Sequence, residues 1–179
     1  MANPDAPTWI RVGKFDARAV AIVDGRGPFG NGVPHYSRRK PGAPQFMPPG
    51  QTLVLMTVDF SAVYGWWRPH PDSGIIAMNK RDGWTCTLFR NDRRERDRAS
   101  ALILAAELAL VAEGYACGPD GFLTYVKRAA VASSNPGYCY KCAGYRKIGV
   151  SADGKKDLLA KPYADAGTVP NSAVHRMAA

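Results

Sequence analysis

The sequence predicts an α+β domain, a mixed and mostly antiparallel central sheet flanked by helices. Two observations carry this. First, ASALILAAELALVAEG, residues 99–114, has apolar residues on several faces, so it is a helix with packing partners around most of its circumference. Second, β-branched and aliphatic runs precede it at 52–59, 62–67 and 83–90, and a strand, short helix, strand and hairpin return follow it.

Taken in order, Asp16 is a candidate cap for a first helix over 15–23 that ends before Gly25. Residues 27–49 are rich in Gly and Pro, which predicts an ordered surface loop or a flap. The runs 52–59 and 62–67, separated by a turn near Phe60 and Ser61, read as two central antiparallel strands, and 83–90 as a further one. After the buried helix, 122–126 is a strand. In NPGYCYKCAGYRKIG, residues 135–149, Asn135 suits a helix cap, Pro136 its first turn and Gly144 a left-handed stop. Asp153-Gly154 then turns the chain back into 156–160. Residues 1–160 read as a single domain and 161–179, without periodicity, as a loosely attached tail.

Composition narrows the classes. A hydrophobic content of 46% supports a real core. The longest apolar stretch, 99–112, is interrupted by Glu107 and falls short of the roughly 20 residues of a membrane span. No secretory pattern opens the chain, so a cytoplasmic location is expected. With 24 basic against 15 acidic residues the net charge is +9, which favours a polyanionic partner. Cys139 and Cys142 lie three apart on the short helix, where buried thiols are the simpler reading and a redox pair the other; Cys86 and Cys117 complete a zinc site only if the fold gathers all four.

Four stretches offer chemistry. The loop segment HYSRRK sets His35, Tyr36 and Ser37 beside Arg38, Arg39 and Lys40, either as a reactive loop or as a solvated basic one. Trp66 and Trp67 end a strand stopped by prolines, placed to stack on a base or to pack the sheet against a helix. In RNDRRERDR, residues 90–98, Arg93 and Arg94 stand before a helix start where Ser100 can cap amides, which makes either a phosphate site or a self-neutralised charged turn. Arg146 and Lys147 add cations on the last strands.

This order of elements resembles the Gcn5-related acetyltransferase (GNAT) fold over roughly residues 15–160. Residues 92–99 lack the glycine-rich loop by which that fold holds acetyl-CoA. Three short motifs resemble more narrowly the Mom-type DNA modification proteins of bacteriophages: the His35-Tyr36 pair before the central strands, Ser100 opening the buried helix, and the Gly137–Tyr140 segment on the last short helix. That family pattern places an aspartate where this chain has Lys127. The resemblance implies a phage- or prophage-encoded transferase in the bacterial cytoplasm, acting on double-stranded DNA and adding an acetamido-type group to the exocyclic amine of adenine. It makes iron conceivable without supplying a recognisable ligand set.

On that reading His35 manages the amine's proton, Tyr36 and Tyr140 donate to a developing oxyanion or leaving group, and Ser100 holds a carbonyl or phosphate oxygen. Arg38, Arg39, Lys40, Arg93, Arg94, Arg146 and Lys147 grip the backbone, and Trp66 or Trp67 stacks on the extruded base. A GNAT-like N-acyltransferase acting on a small amine or protein, and a non-catalytic nucleic-acid-binding protein of the same fold, are the alternatives.

Overall fold

The computed structural model describes residues 9–35, 40–75, 80–93, 98–130 and 134–169. A seven-stranded sheet runs through them in the order β1-β2-β3-β4-β5-β7-β6. The strands are β1 (Trp9–Val12), β2 (Gln51–Thr57), β3 (Ala62–Arg68), β4 (Trp84–Asn91), β5 (Phe122–Lys127), β6 (Arg146–Val150) and β7 (Lys156–Lys161). Every pairing is antiparallel except β4 with β5. Among the described residues the sheet is accompanied by α1 (Ala17–Val23), α2 (Ala99–Ala112) and α3 (Tyr138–Cys142). The mixed, mostly antiparallel α+β class expected from the sequence is the one observed.

Each face of the sheet carries its own core, because successive strand residues point to opposite sides. On one face Leu53, Leu55, Tyr64, Trp66, Trp84, Cys86, Phe122 and Leu159 pack with Ile103, Ala106 and Leu110 of α2 and Tyr140 and Ala143 of α3. On the other, Val54, Met56, Val63 and Leu88 pack with Ala19, Val20, Ile22 and Val23 of α1 and with Phe46 and Met47. The Gly/Pro-rich stretch is therefore more than a surface loop, since its end inserts Phe46 and Met47 into a core. Gly65 makes room for this: a Cβ there would lie 2.5 Å from the Met47 sulfur.

Asp16 caps α1 as expected, accepting from the amides of Arg18 and Ala19 at 2.9 and 3.3 Å, and its carboxylate also pairs with the Arg18 guanidinium. That side-chain bond is the main reason its carboxyl sits below the usual range. Replacing Asp16 by Ala is expected to cost about 1 kcal/mol, read as a lower urea midpoint at unchanged slope.

Several boundaries differ from expectation. β1 has no counterpart in the sequence reading; it is a four-residue edge strand added to β2. The cap of α2 is Arg98, with no side-chain hydrogen bond, so Ser100 lies inside the first turn and does not cap the helix. α3 starts at Gly137, whose left-handed φ of 75° and contact with Leu159 leave no room for a side chain, while the carbonyl of Asn135 accepts from Tyr138 in the preceding turn. Gly144 takes the expected left-handed stop, with φ 93°.

The stretch after residue 160 is bound rather than loose as far as it is described. Lys161 closes β7 with its ammonium fully buried, 2.6 Å from Glu107 of α2, and the Gly167 amide donates to the same carboxylate oxygen at 2.9 Å. Burial pushes the Glu107 carboxyl up, against the pull of Lys161 and the Gly167 amide. Residues 170–179 of the expected tail lie outside the described residues. No helix among the described residues is long and apolar enough to cross a membrane.

Candidate functional site at the open end of β4 and β5

Parallel pairing of β4 with β5 covers only Trp84–Phe122, Thr85–Leu123 and Cys86–Thr124. Beyond these pairs β4 continues to Asn91 and β5 to Lys127, each bonded to its outer neighbour alone. On the β4 side the register with β3 shifts between Gly65 and Trp66, which pair with Leu88 and Cys86 and leave Thr87 as the extra residue. A bulge of this kind bends its strand and raises local twist, and it lies just where β4–β5 pairing stops. Past that point the two strands are unpaired with each other and tied only on their far sides.

His35 is held at this end. Its amide donates to the Val23 carbonyl at 2.7 Å, and its imidazole, half-buried, bonds the backbone of Phe89 beside the Arg90 guanidinium. Burial first, and the Arg90 charge second, hold its pKa below the ordinary imidazole value, so it is neutral at pH 7 and able to accept a proton. Arg90 organises the surroundings: Nε bonds Asp92 at 2.7 Å, Nη1 the Val33 carbonyl at 2.6 Å and Nη2 the Asn31 side chain at 3.2 Å. Ser100 follows on the first turn of α2 and is partly exposed.

Tyr140 reaches the same strand from the other face, and its position corrects its expected role. It is buried, its ring lies 6.3 Å from that of Phe89 and 5.3 Å from that of Tyr145, and its hydroxyl is engaged with the Cys86 sulfur at 3.1 Å. Burial pushes the phenols of Tyr64, Tyr140 and Tyr145 well above their usual value and the Cys86 thiol up to about 11. Cys86 is thus a neutral thiol in a closed aromatic nest, and Tyr140 braces β4 from beneath instead of facing a ligand.

The two tryptophans separate by strand alternation. Trp66 is fully buried and donates its Nε1–H to the Ala106 carbonyl at 3.0 Å, which excludes it from stacking on a base. Trp67 points to the opposite face, half-buried, with Nε1–H on the Pro49 carbonyl at 2.7 Å. Arg93 sits 3.4 Å from Asp59 with its guanidinium 4.8 Å from the Phe29 ring centroid. Lys40 and Arg146 are exposed, and Lys147 pairs with Asp157 at 2.8 Å. Tyr36, Ser37, Arg38, Arg39 and Arg94 lie outside the described residues. The structure thus holds His35 against β4 and the end of α1, puts Tyr140 beneath that strand, leaves Ser100 in the first turn of α2, whose core lies on the opposite face from that of α1, and sets Arg146 and Lys147 apart on the outer hairpin.

One carboxylate escaped the sequence reading. Asp157 of β7 stands in register with Val126, next to the position where the Mom pattern has its aspartate and this chain has Lys127. It is buried and paired with Arg128 at 2.7 Å as well as Lys147, whose hydrogen bond chiefly holds its carboxyl below the usual range. The only sequence signal was an acid directly after the Lys155-Lys156 turn, which reads as ordinary hairpin charge.

None of the four cysteines is in a disulfide. Among the described residues no group of three or more His, Cys, Asp or Glu side chains converges to hold a metal ion, so the iron made conceivable by resemblance has no donor set there. The start of α2 presents Arg98, Ala99 and Ser100 with no glycine, which does not fit the backbone cradle that acetyl-CoA requires. No family model, curated protein or solved structure matches the chain.

Proposed function

We propose that the protein is a DNA-modifying transferase that places an acetamido-type group on the exocyclic amine of adenine. The observation that carries the reading is the opening between parallel β4 and β5 with a desolvated, neutral His35 fixed at its edge. The element order supports it. An adenine amine is a weak nucleophile because its lone pair is delocalised into the ring. His35 accepts the proton that the nitrogen sheds as the new N–C bond forms, while the leaving group of an activated donor departs with its electron pair. Ser100 supplies a hydroxyl at a helix start, where a developing negative charge is stabilised. A base inside a duplex must leave the stack first, and the excess of cations suits a protein that grips the distorted backbone.

Mass spectrometry of nucleosides from plasmid DNA tests this. Cells expressing the protein are expected to yield a heavier deoxyadenosine, absent from cells expressing His35→Ala. Unchanged nucleosides from cells holding soluble, folded protein would remove the reading.

A further inference from the structure

α2 is exposed on a face that carries no charge. Its one charged residue, Glu107, points inward with Leu102, Ile103, Ala106 and Leu110, and all five are buried. At about 100° per residue the opposite side is a stripe of Ala101, Ala105, Leu108 and Ala112, flanked by Leu104 and Val111. Leu108 is 52% and Val111 38% exposed, and Ala101 and Ala112 are exposed as well. A helix at the surface of a globular domain ordinarily turns polar residues outward, as α1 does with Arg18. The chain's own return does not cover the stripe. Gly167 touches Leu108 where its amide reaches Glu107, on the flank beside Leu104 and Val111, and Leu108 stays half exposed.

We propose that this face binds a second copy of the same chain, α2 lying antiparallel on α2 about a two-fold axis. The stripe is complementary to itself. In a register centred between Ala106 and Glu107, Leu108 meets Ala105 of the second copy and Ala101 meets Ala112, so the large side chain of the seam finds a small one and the contact repeats on both sides of the axis. Three alanines in the seam let the helix axes approach to about 8 Å, the close end of helix packing.

The ends agree in charge. The same register brings Arg98, which is exposed and has no carboxylate partner among the described residues, to the last turn of the second copy's α2. There Glu113 shares its carboxylate with Arg11 and still has a side chain 33% exposed. A carboxylate accepts from more than one donor, and antiparallel helices set opposite dipole ends together. A different protein chosen by charge would need charges to read, and between Arg98 and Glu113 the face has none. α2 is about 21 Å long, so a helix pair alone is smaller than the roughly 1,200–2,000 Å² of a stable interface, and association is expected at micromolar concentrations.

The inference stands apart from the transfer reaction proposed above and uses none of its chemistry. Sedimentation velocity of the full chain over roughly 1–200 μM tests it, with a monomer–dimer equilibrium expected. Leu108→Glu and Leu108→Lys are each expected to weaken that equilibrium about tenfold or more, by setting an unpaired charge on an apolar neighbour. Circular dichroism melts check that both variants fold; the position is exposed and both new residues suit a helix. In this register the two Leu108 positions lie about 4.5 Å apart along the axis, so equal parts of the two variants are expected to associate more tightly than either alone. A monomer throughout the range, as when the chain's own end or another protein takes the face, would overturn the proposal. So would a dimer that both folded variants keep, or a mixture no tighter than its components.

Discussion

Glu107→Ala is expected to destabilise the protein by about 3–5 kcal/mol, because it leaves the Lys161 ammonium without its carboxylate in a site with no solvent-exposed surface. Both side chains of the pair have no exposed surface, and their 2.6 Å bond joins α2 to the end of β7. The exposed ion pairs of this chain, such as Arg11 with Glu113, contribute little by comparison. Urea melts of three proteins separate the charge from the packing. Glu107→Ala should shift the midpoint strongly downward, whereas the double replacement Glu107→Leu with Lys161→Met should return to the parent's stability or exceed it by about 1–4 kcal/mol. A double variant as unstable as the single one would show that the carboxylate's other partners, the Gly167 amide and Tyr145, matter more than the buried ammonium.

His35→Ala is expected to reduce the rate of DNA modification by about 10²–10⁴-fold, the usual contribution of a positioned general base. The pH dependence gives a sharper test. Because burial and the Arg90 charge lower the imidazole pKa from 6.5, the proton-accepting form persists below the pH at which a solvated histidine would be protonated. The acid limb of the rate should therefore have its midpoint below 6.5, and it should vanish in whatever slow activity His35→Ala retains. A limb at or above 6.5 would place the proton on another group.

Sequence patterns located most elements because the local chemistry was unambiguous. Asp16 satisfies two helix amides, Gly144 adopts the left-handed stop, and Gly154 turns the last hairpin with φ 67°. The apolar run of α2 correctly indicated a helix, but it is not enclosed: Leu102, Ile103, Ala106, Glu107 and Leu110 are buried, while Ala101, Leu108 and Val111 are exposed. Failures came where distant residues decide. Four residues of β1 carry too little periodicity to stand out from their proline-rich approach, and the strand exists because β2 offers a free edge. Residues after 160 look like tail until Glu107, 54 positions before Lys161, draws them in. Asn135 and Gly137 both suit a helix start, and contact with Leu159 and Val126 chose the glycine.

The candidate site was legible in kind rather than in placement. Two adjacent tryptophans in a strand must face opposite ways, yet only the sheet's neighbours reveal that Trp66 is the inward one. Tyr140 lay on the correct short helix, but its helix is pressed against the sheet, which turns a candidate donor into a brace. His35 was picked out by residue type alone; its lowered pKa comes from burial first and then from the charge of Arg90, more than fifty positions away, against the bond to the Phe89 backbone.

Arg90 makes two separate stretches of chain answer to one another. One guanidinium fastens the segment that leads into His35, through Asn31 and Val33, and the first residues leaving β4, through Asp92. A shift of either stretch has to break or carry the other, so the loop that leads into His35 and the first residues beyond β4 are latched together by one side chain.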